Sequence, residues 1–104
     1  MMVAQWAISD ELWARVAPLI PPPPERHHGG RPRLDDRQVF TAMIFVLASQ
    51  LRWRDLPREL GAGSTTHARF REWEEAGFFE SLARAGLTYH PELRRVDWDW
   101  LDSR

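Results

Sequence analysis

LRWRDLPRELGAGSTTHARFREWEEAGFF, residues 51–79, decides how this chain is read. A short helical pattern over Asp55 to Leu60 runs into Gly61, a residue suited to ending a helix in the left-handed conformation. Small residues follow, and Ser64 is placed to cap a second helix, about Thr65 to Glu75, that Gly77 stops. On a helical wheel, Thr66, Phe70 and Trp73 share one face and should pack inward. The opposite face carries Ser64, Ala68, Arg71 and Glu75, with His67 and Glu72 at its borders and Arg69 on one flank. This is the outline of a helix-turn-helix, which lays its second helix in the DNA major groove. Ser64, Thr65, His67, Ala68, Arg69 and Arg71 are thus the candidate DNA contacts. Arg69 and Arg71 would reach bases or phosphates, and Ser64, Thr65 and the first-turn N–H groups would grip a phosphate. Glu72, Glu74 and Glu75 oppose phosphate binding along the rest of the helix.

Working outward, Ser9 is a plausible N-cap for an amphipathic helix over residues 10–20, with Asp10 and Glu11 in its first turn. Pro18 should bend or end it, and Pro21 to Pro24 should be extended. Asp35, with Gln38 three residues on, reads as a capping box. The helix it opens has Val39, Phe40, Met43, Ile44, Phe45, Val46 and Leu47, apolar around most of its circumference, and is the expected core helix. Phe78 to Ala85 reads as a short fifth helix, with Phe79 and Leu82 extending the apolar surface. From Leu87 on the helical period is lost, and Val96, Trp98 and Trp100 alternate with Asp97 and Asp99 in a strand-like pattern that has no partner. The expected architecture is all-α: four to five helices containing a helix-turn-helix over residues 6–86, and an irregular tail over 87–104.

The charge is unevenly placed. Over the 104 residues the net charge is −1, yet residues 26–71 hold nine Arg against four acids, net +5, and residues 72–104 hold four Arg against eight acids, net −4. The positive charge therefore coincides with the helix-turn-helix outline. All fourteen basic residues are Arg, a pattern that a GC-rich genome explains in large part. Gly30-Arg31-Pro32-Arg33 has the form of an extended minor-groove arm, with Arg31 and Arg33 as candidate contacts, although a solvated linker has the same composition. His27 and His28 have no third ligand at useful spacing. There is no cysteine, so disulfides and cysteine metal sites are excluded. No apolar run reaches membrane-spanning length, and the first residues lack a signal-peptide pattern; a soluble cytoplasmic protein is expected.

A longer set of residues carries a resemblance. In order they are Leu12-Trp13, Leu19-Ile20-Pro21-Pro22, Gly30-Arg31-Pro32-Arg33, Val39 to Leu47, Trp53-Arg54-Asp55-Leu56-Pro57, Gly61, Ser64-Thr65, Phe70-Arg71, Trp73 and Ala76-Gly77-Phe78-Phe79. Over roughly residues 6–86 the chain resembles the N-terminal region of bacterial insertion-sequence transposases of the DDE class, insertion-sequence group five. The resemblance implies a DNA-binding region that engages the element's terminal inverted repeats. It places the chemistry in a following ribonuclease-H-like domain, where three carboxylates hold two Mg²⁺ ions for phosphoryl transfer. The chain resembles the first-frame product of a two-frame gene. DWDWLDS, residues 97–103, resembles the approach to the first catalytic strand, so Asp102 is a weak candidate for the first metal ligand. Lacking the later carboxylates, this chain alone should be non-catalytic, with no metal or cofactor of its own. Ala68 and Glu72 stand where relatives tend to carry arginine, which lowers the expected affinity.

The partners implied are double-stranded DNA, with a catalytic transposase chain and a second copy of this chain as further candidates. The competing reading is an interaction module or regulator that docks a separate catalytic chain through an exposed Trp98 and Trp100. An enzyme in its own right is least favoured, because no nucleophile–base set is visible.

Overall fold

Ser9 opens the first helix as expected: its Oγ accepts the Leu12 N–H at 3.1 Å, and α1 runs Asp10–Val16. The computed structural model describes residues 7–23 and 34–102. Pro18 sits at the start of a 3-10 turn, Ala17–Leu19, so the α-helix stops short of residue 20. Asp35 caps α2, Asp36–Ser49, by accepting the Gln38 N–H at 3.2 Å, and Gln50 ends it in the left-handed conformation.

Helix α2 is the centre of the molecule. Val39, Phe40, Ala42, Met43, Ile44, Phe45 and Val46 are all buried, so it has cover on both sides. One side, through Val39, Phe40, Met43 and Ile44, joins Ile8, Leu12 and Val16 of the N-terminal segment and Trp73, Phe78, Phe79 and Leu82. The other, through Ala42, Phe45 and Val46, is closed by Leu56, with Leu51, Trp53 and Leu60 partly buried beside it. That second cover is made by two 3-10 turns, Trp53–Asp55 and Arg58–Leu60.

Helix α3 runs Gly63–Glu75, and α4 runs Phe78–Arg84 after a corner at Gly77. The sequence expectation fails at the start of α3. Ser64 is not its cap; the helix begins two residues earlier, at Gly63, Ala62 is the N-cap residue, and no side chain caps it. Nor is the preceding element an α-helix: Arg58–Leu60 is a single 3-10 turn. Gly-Ala-Gly has two separate physical causes. Gly61 has φ 129° and ψ 179°, a region that a side chain would strain. Gly63 touches the backbone of the first 3-10 turn so closely that a Cβ would lie 2.1 Å from the Trp53 carbonyl oxygen.

Past Gly86, the strand-like reading of the tail is corrected. Leu87–Tyr89 is a 3-10 turn, Asp99–Asp102 is a short α5, and Leu87, Leu93 and Val96 are buried in the main core. The alternation of Val96, Trp98 and Trp100 reflects successive inward turns of an irregular segment, not strand pairing. Trp98 and Trp100 are half-buried against Phe79, at 6.3 and 5.6 Å between ring centroids, and the Trp98 Nε1–H donates to the Leu93 carbonyl. Residues 87–102 therefore continue the packed unit. Among the described residues there is no strand, and the all-α expectation holds. No described helix is long and apolar enough to cross a membrane.

Trp73 has no exposed surface and packs edge-on to Phe78 at 5.1 Å. Trp73→Ala should cost about 3–5 kcal/mol in urea denaturation, the range for emptying a large aromatic site. Gly63→Ala adds only a methyl group, yet it should destabilise by roughly 1–3 kcal/mol or more, because the obstructing atom is backbone. An unchanged denaturation midpoint for Gly63→Ala would show that α3 does not rest on the Trp53 carbonyl.

Candidate nucleic-acid interface

Burial divides α3 cleanly. Thr66, Arg69 and Trp73 are buried; Ser64, Thr65, Ala68, Arg71 and Glu75 are exposed; His67, Phe70, Glu72 and Glu74 lie between. The outward residues border a shallow depression of about 500 Å³ lined by Ser64, His67, Ala68, Arg71, Glu72 and Glu75. His67 stacks flat on Trp53, 5.0 Å between centroids and 9° between planes. Trp53 in turn meets Phe70 at 5.1 Å. One ring face of His67 is thus covered, and its orientation is set by packing.

Arg69 is where the sequence reading must be corrected. It is 5% exposed. Its Nη1 donates to Asp36 Oδ1 at 2.7 Å, its Nη2 donates to the Leu34 carbonyl at 2.7 Å, and its guanidinium lies 5.8 Å from the centroid of the Trp73 ring. A buried cation is tolerated only when paired and hydrogen-bonded, and Arg69 is both. It points into the protein and is not a groove-facing side chain. Helical spacing placed it on a flank, whereas it shares the buried face with Thr66 and Trp73. The partner 33 residues away had no local signal.

Two other arginines were missed. Arg54 and Arg58, both exposed, line a second depression of about 500 Å³ with Leu56, Gly61, Ala62 and Gly63. It adjoins the first turn of α3, whose leading N–H groups have no helical acceptor. The signal available was the spacing of Arg54 and Arg58 beside the Gly-Ala-Gly turn. Arg52, also exposed, is paired with Asp55 at 3.1 Å. Arg54 and Arg58 thus flank the start of α3, while Arg71 lies past its midpoint and shares its depression with Glu72 and Glu75. Arg31, Arg33 and the Asp102 side chain lie outside the described residues.

A different cluster lies outside both depressions. Glu11, His90 and Glu92 bring their ligating atoms within 4.8 Å of one another. His90 Nδ1 accepts the Glu92 N–H at 3.1 Å, so in the neutral ring Nε2 carries the proton and donates to Glu11 at 3.0 Å. The nitrogen nearest Glu11 therefore presents a proton, not the lone pair a metal needs. Glu92 also accepts the Ser9 N–H at 3.0 Å and the Ser9 hydroxyl. The arrangement is a hydrogen-bonded clamp between the start of α1 and the C-terminal segment. The His90 hydrogen bond lowers the Glu11 carboxyl below its usual value, against a smaller effect of burial, and Arg15 adds to the lowering. Burial raises the Glu92 carboxyl, but the Ser9 hydrogen bonds and His90 outweigh it, and the net shift is downward.

The described residues form a small all-α unit with exposed Arg54 and Arg58 beside the start of α3. The family model described as "Putative transposase of IS4/5 family (DUF4096)" matches residues 8–83, and the chain belongs to that family. A Burkholderia cepacia protein described as "Insertion element IS402 uncharacterized 16.2 kDa protein" is 44% identical over 99 residues, covering 91% of this chain and 65% of that protein. "Uncharacterized protein y4sN" of Sinorhizobium fredii (strain NBRC 101917 / NGR234) is 28% identical over 94 residues, covering 90% of this chain and 69% of that protein. The chain thus spans about two thirds of the length of these curated relatives. No solved structure matches it.

The clamp carries a pH dependence of definite sign. Both carboxyls titrate lower in the folded chain than their ordinary 4.5, so they stabilise the fold above that value and cease to as pH falls through their folded values. The urea midpoint of the native chain should drop as pH falls below the ordinary 4.5 and through the folded values. Glu92→Gln should lower the midpoint at about pH 6 and flatten the acid decline.

Proposed function

We propose that this chain is the DNA-binding part of an IS4/5-family transposase. It engages duplex DNA through the N-terminal half of α3 and the two 3-10 turns beside it. The observation that carries this reading is exposed Arg54 and Arg58 beside the first turn of α3, with Arg71 exposed further along the outer face that Ser64, Thr65 and Ala68 also form. Arginine suits both phosphate oxygens and guanine edges, and recognition helices read bases chiefly with their N-terminal residues. Glu72 and Glu75 favour an orientation in which the C-terminal half of α3 tilts away from the phosphates. His67, held against Trp53, presents its ring at the border of the same face. The preferred duplex is the terminal inverted repeat of the element. Arg31 and Arg33 belong to the proposal as an adjacent minor-groove arm.

Strand cleavage is assigned to another segment. Two-metal phosphoryl transfer needs several carboxylates converging on one point; among the described residues, the cluster of Glu11, His90 and Glu92 is a hydrogen-bonded clamp whose histidine donates its proton. The docking-module alternative relied on exposed Trp98 and Trp100, and both are half-buried against the core.

A gel-shift titration against the inverted repeat flanking the gene tests the reading. Arg71→Ala should remove a phosphate contact and weaken binding to all duplexes. Arg54→Ala with Arg58→Ala should weaken binding to all duplexes, and each lost phosphate contact should lower the slope of log K against log salt by about 0.9. Binding unaffected by all three substitutions would remove this face from the interface.

A further inference from the structure

Arg69 is the buried charge that the proposed contacts leave unused, and its bonds cross between two helices. One end of the pair is the middle of α3; the other is Asp36, the first residue of α2, together with the Leu34 carbonyl just before it. A second fixed point lies six residues earlier, where Gly63 rests on the Trp53 carbonyl. A rod held at one point can pivot and roll; held at two it keeps both its tilt and its rotation about its own axis. The outer positions Ser64, Thr65, Ala68 and Arg71 are the ones whose aim these two points determine.

We infer that Arg69 is a positioning residue for DNA recognition: it touches no nucleotide and sets the direction in which the outer face of α3 points. The inference rests on the DNA-binding reading and deepens it. Several features make this geometry specific to arginine. Two separate acceptors, a carboxylate and a carbonyl, take two different nitrogens of one planar group, and the Trp73 ring lies beneath it. A lysine ammonium has no such fork. Because the guanidinium is already paired and almost fully buried, it contributes no counterion release when DNA binds. That separates a positioning role from a contact role in a single measurement.

The experiment compares Arg69→Met, Asp36→Asn and Arg71→Ala with the native chain. Each is titrated at several salt concentrations against the flanking inverted-repeat duplex and a scrambled duplex of equal length. Asp36 is 45% exposed in its side chain, so Asp36→Asn loosens the tie while Arg69 remains, and it decides the question if Arg69→Met does not fold. The expected result is a fall of about tenfold or more in the ratio of specific to non-specific affinity for both Arg69→Met and Asp36→Asn, with the salt slope unchanged. Arg71→Ala should instead lower the slope by about 0.9. A slope reduced in Arg69→Met as in Arg71→Ala would mean that Arg69 meets a phosphate, and the inference would fall. So would an unchanged specificity ratio in every Arg69 and Asp36 variant that folds. If the native chain binds neither duplex, the DNA-binding reading itself fails, an outcome distinct from either of these.

Discussion

Seven of the eight side chains from Val39 to Val46 are withdrawn from water, and the rest of the molecule is arranged to make that so. A helix without a polar side needs cover all round. On one side α1, α3, α4 and the C-terminal segment supply it. On the other, no α-helix is available, and the two 3-10 turns of residues 53–60 bend over Ala42, Phe45 and Val46. This second cover explains the most unusual part of the local structure. The chain must cap α2, fold back over it, and start α3 with almost no space left, so Gly61 turns in a region barred to side chains and Gly63 meets the backbone directly.

What could be read beforehand, and what could not, divides by range. Ser9 and Asp35 cap their helices because a cap depends on three consecutive residues. Gly77 and Gly86 take the left-handed turns that local stops demand. The start of α3 was misplaced because Ser64 is a good cap by type, whereas the real constraint, the Trp53 carbonyl, lies ten residues back. The tail deceived in the same way: alternating Trp and Asp fits a strand locally, but no second strand exists among the described residues for it to join. Arg69 looked outward because arginines on surface helices usually do; its place was decided by Asp36 and Leu34, which only the tertiary fold brings near.

The site shows the same division. The helix face carrying Ser64, Thr65, Ala68 and Arg71 was legible from periodicity, and the structure leaves these four side chains exposed. Arg54 and Arg58 were present in the quoted stretch but had no helical face to belong to, since they sit on 3-10 turns. The net effect on the charge map is a shift. One arginine leaves the candidate surface for the interior, and two join it at the opposite edge, nearer the start of α3. The exposed arginines therefore run from the turns before α3 to Arg71, where Glu72 and Glu75 adjoin them.

The joint at Gly63 is made by main chain on main chain, and this limits how such a chain can change over generations. No exchange of side chains at that point can retune the angle between the 53–55 turn and α3; a bulkier residue simply spoils the seat. Drift that alters what α3 touches is thereby channelled to the outer positions Ser64, Thr65, Ala68 and Arg71, where a substitution rewrites the surface and leaves the scaffold's pose intact.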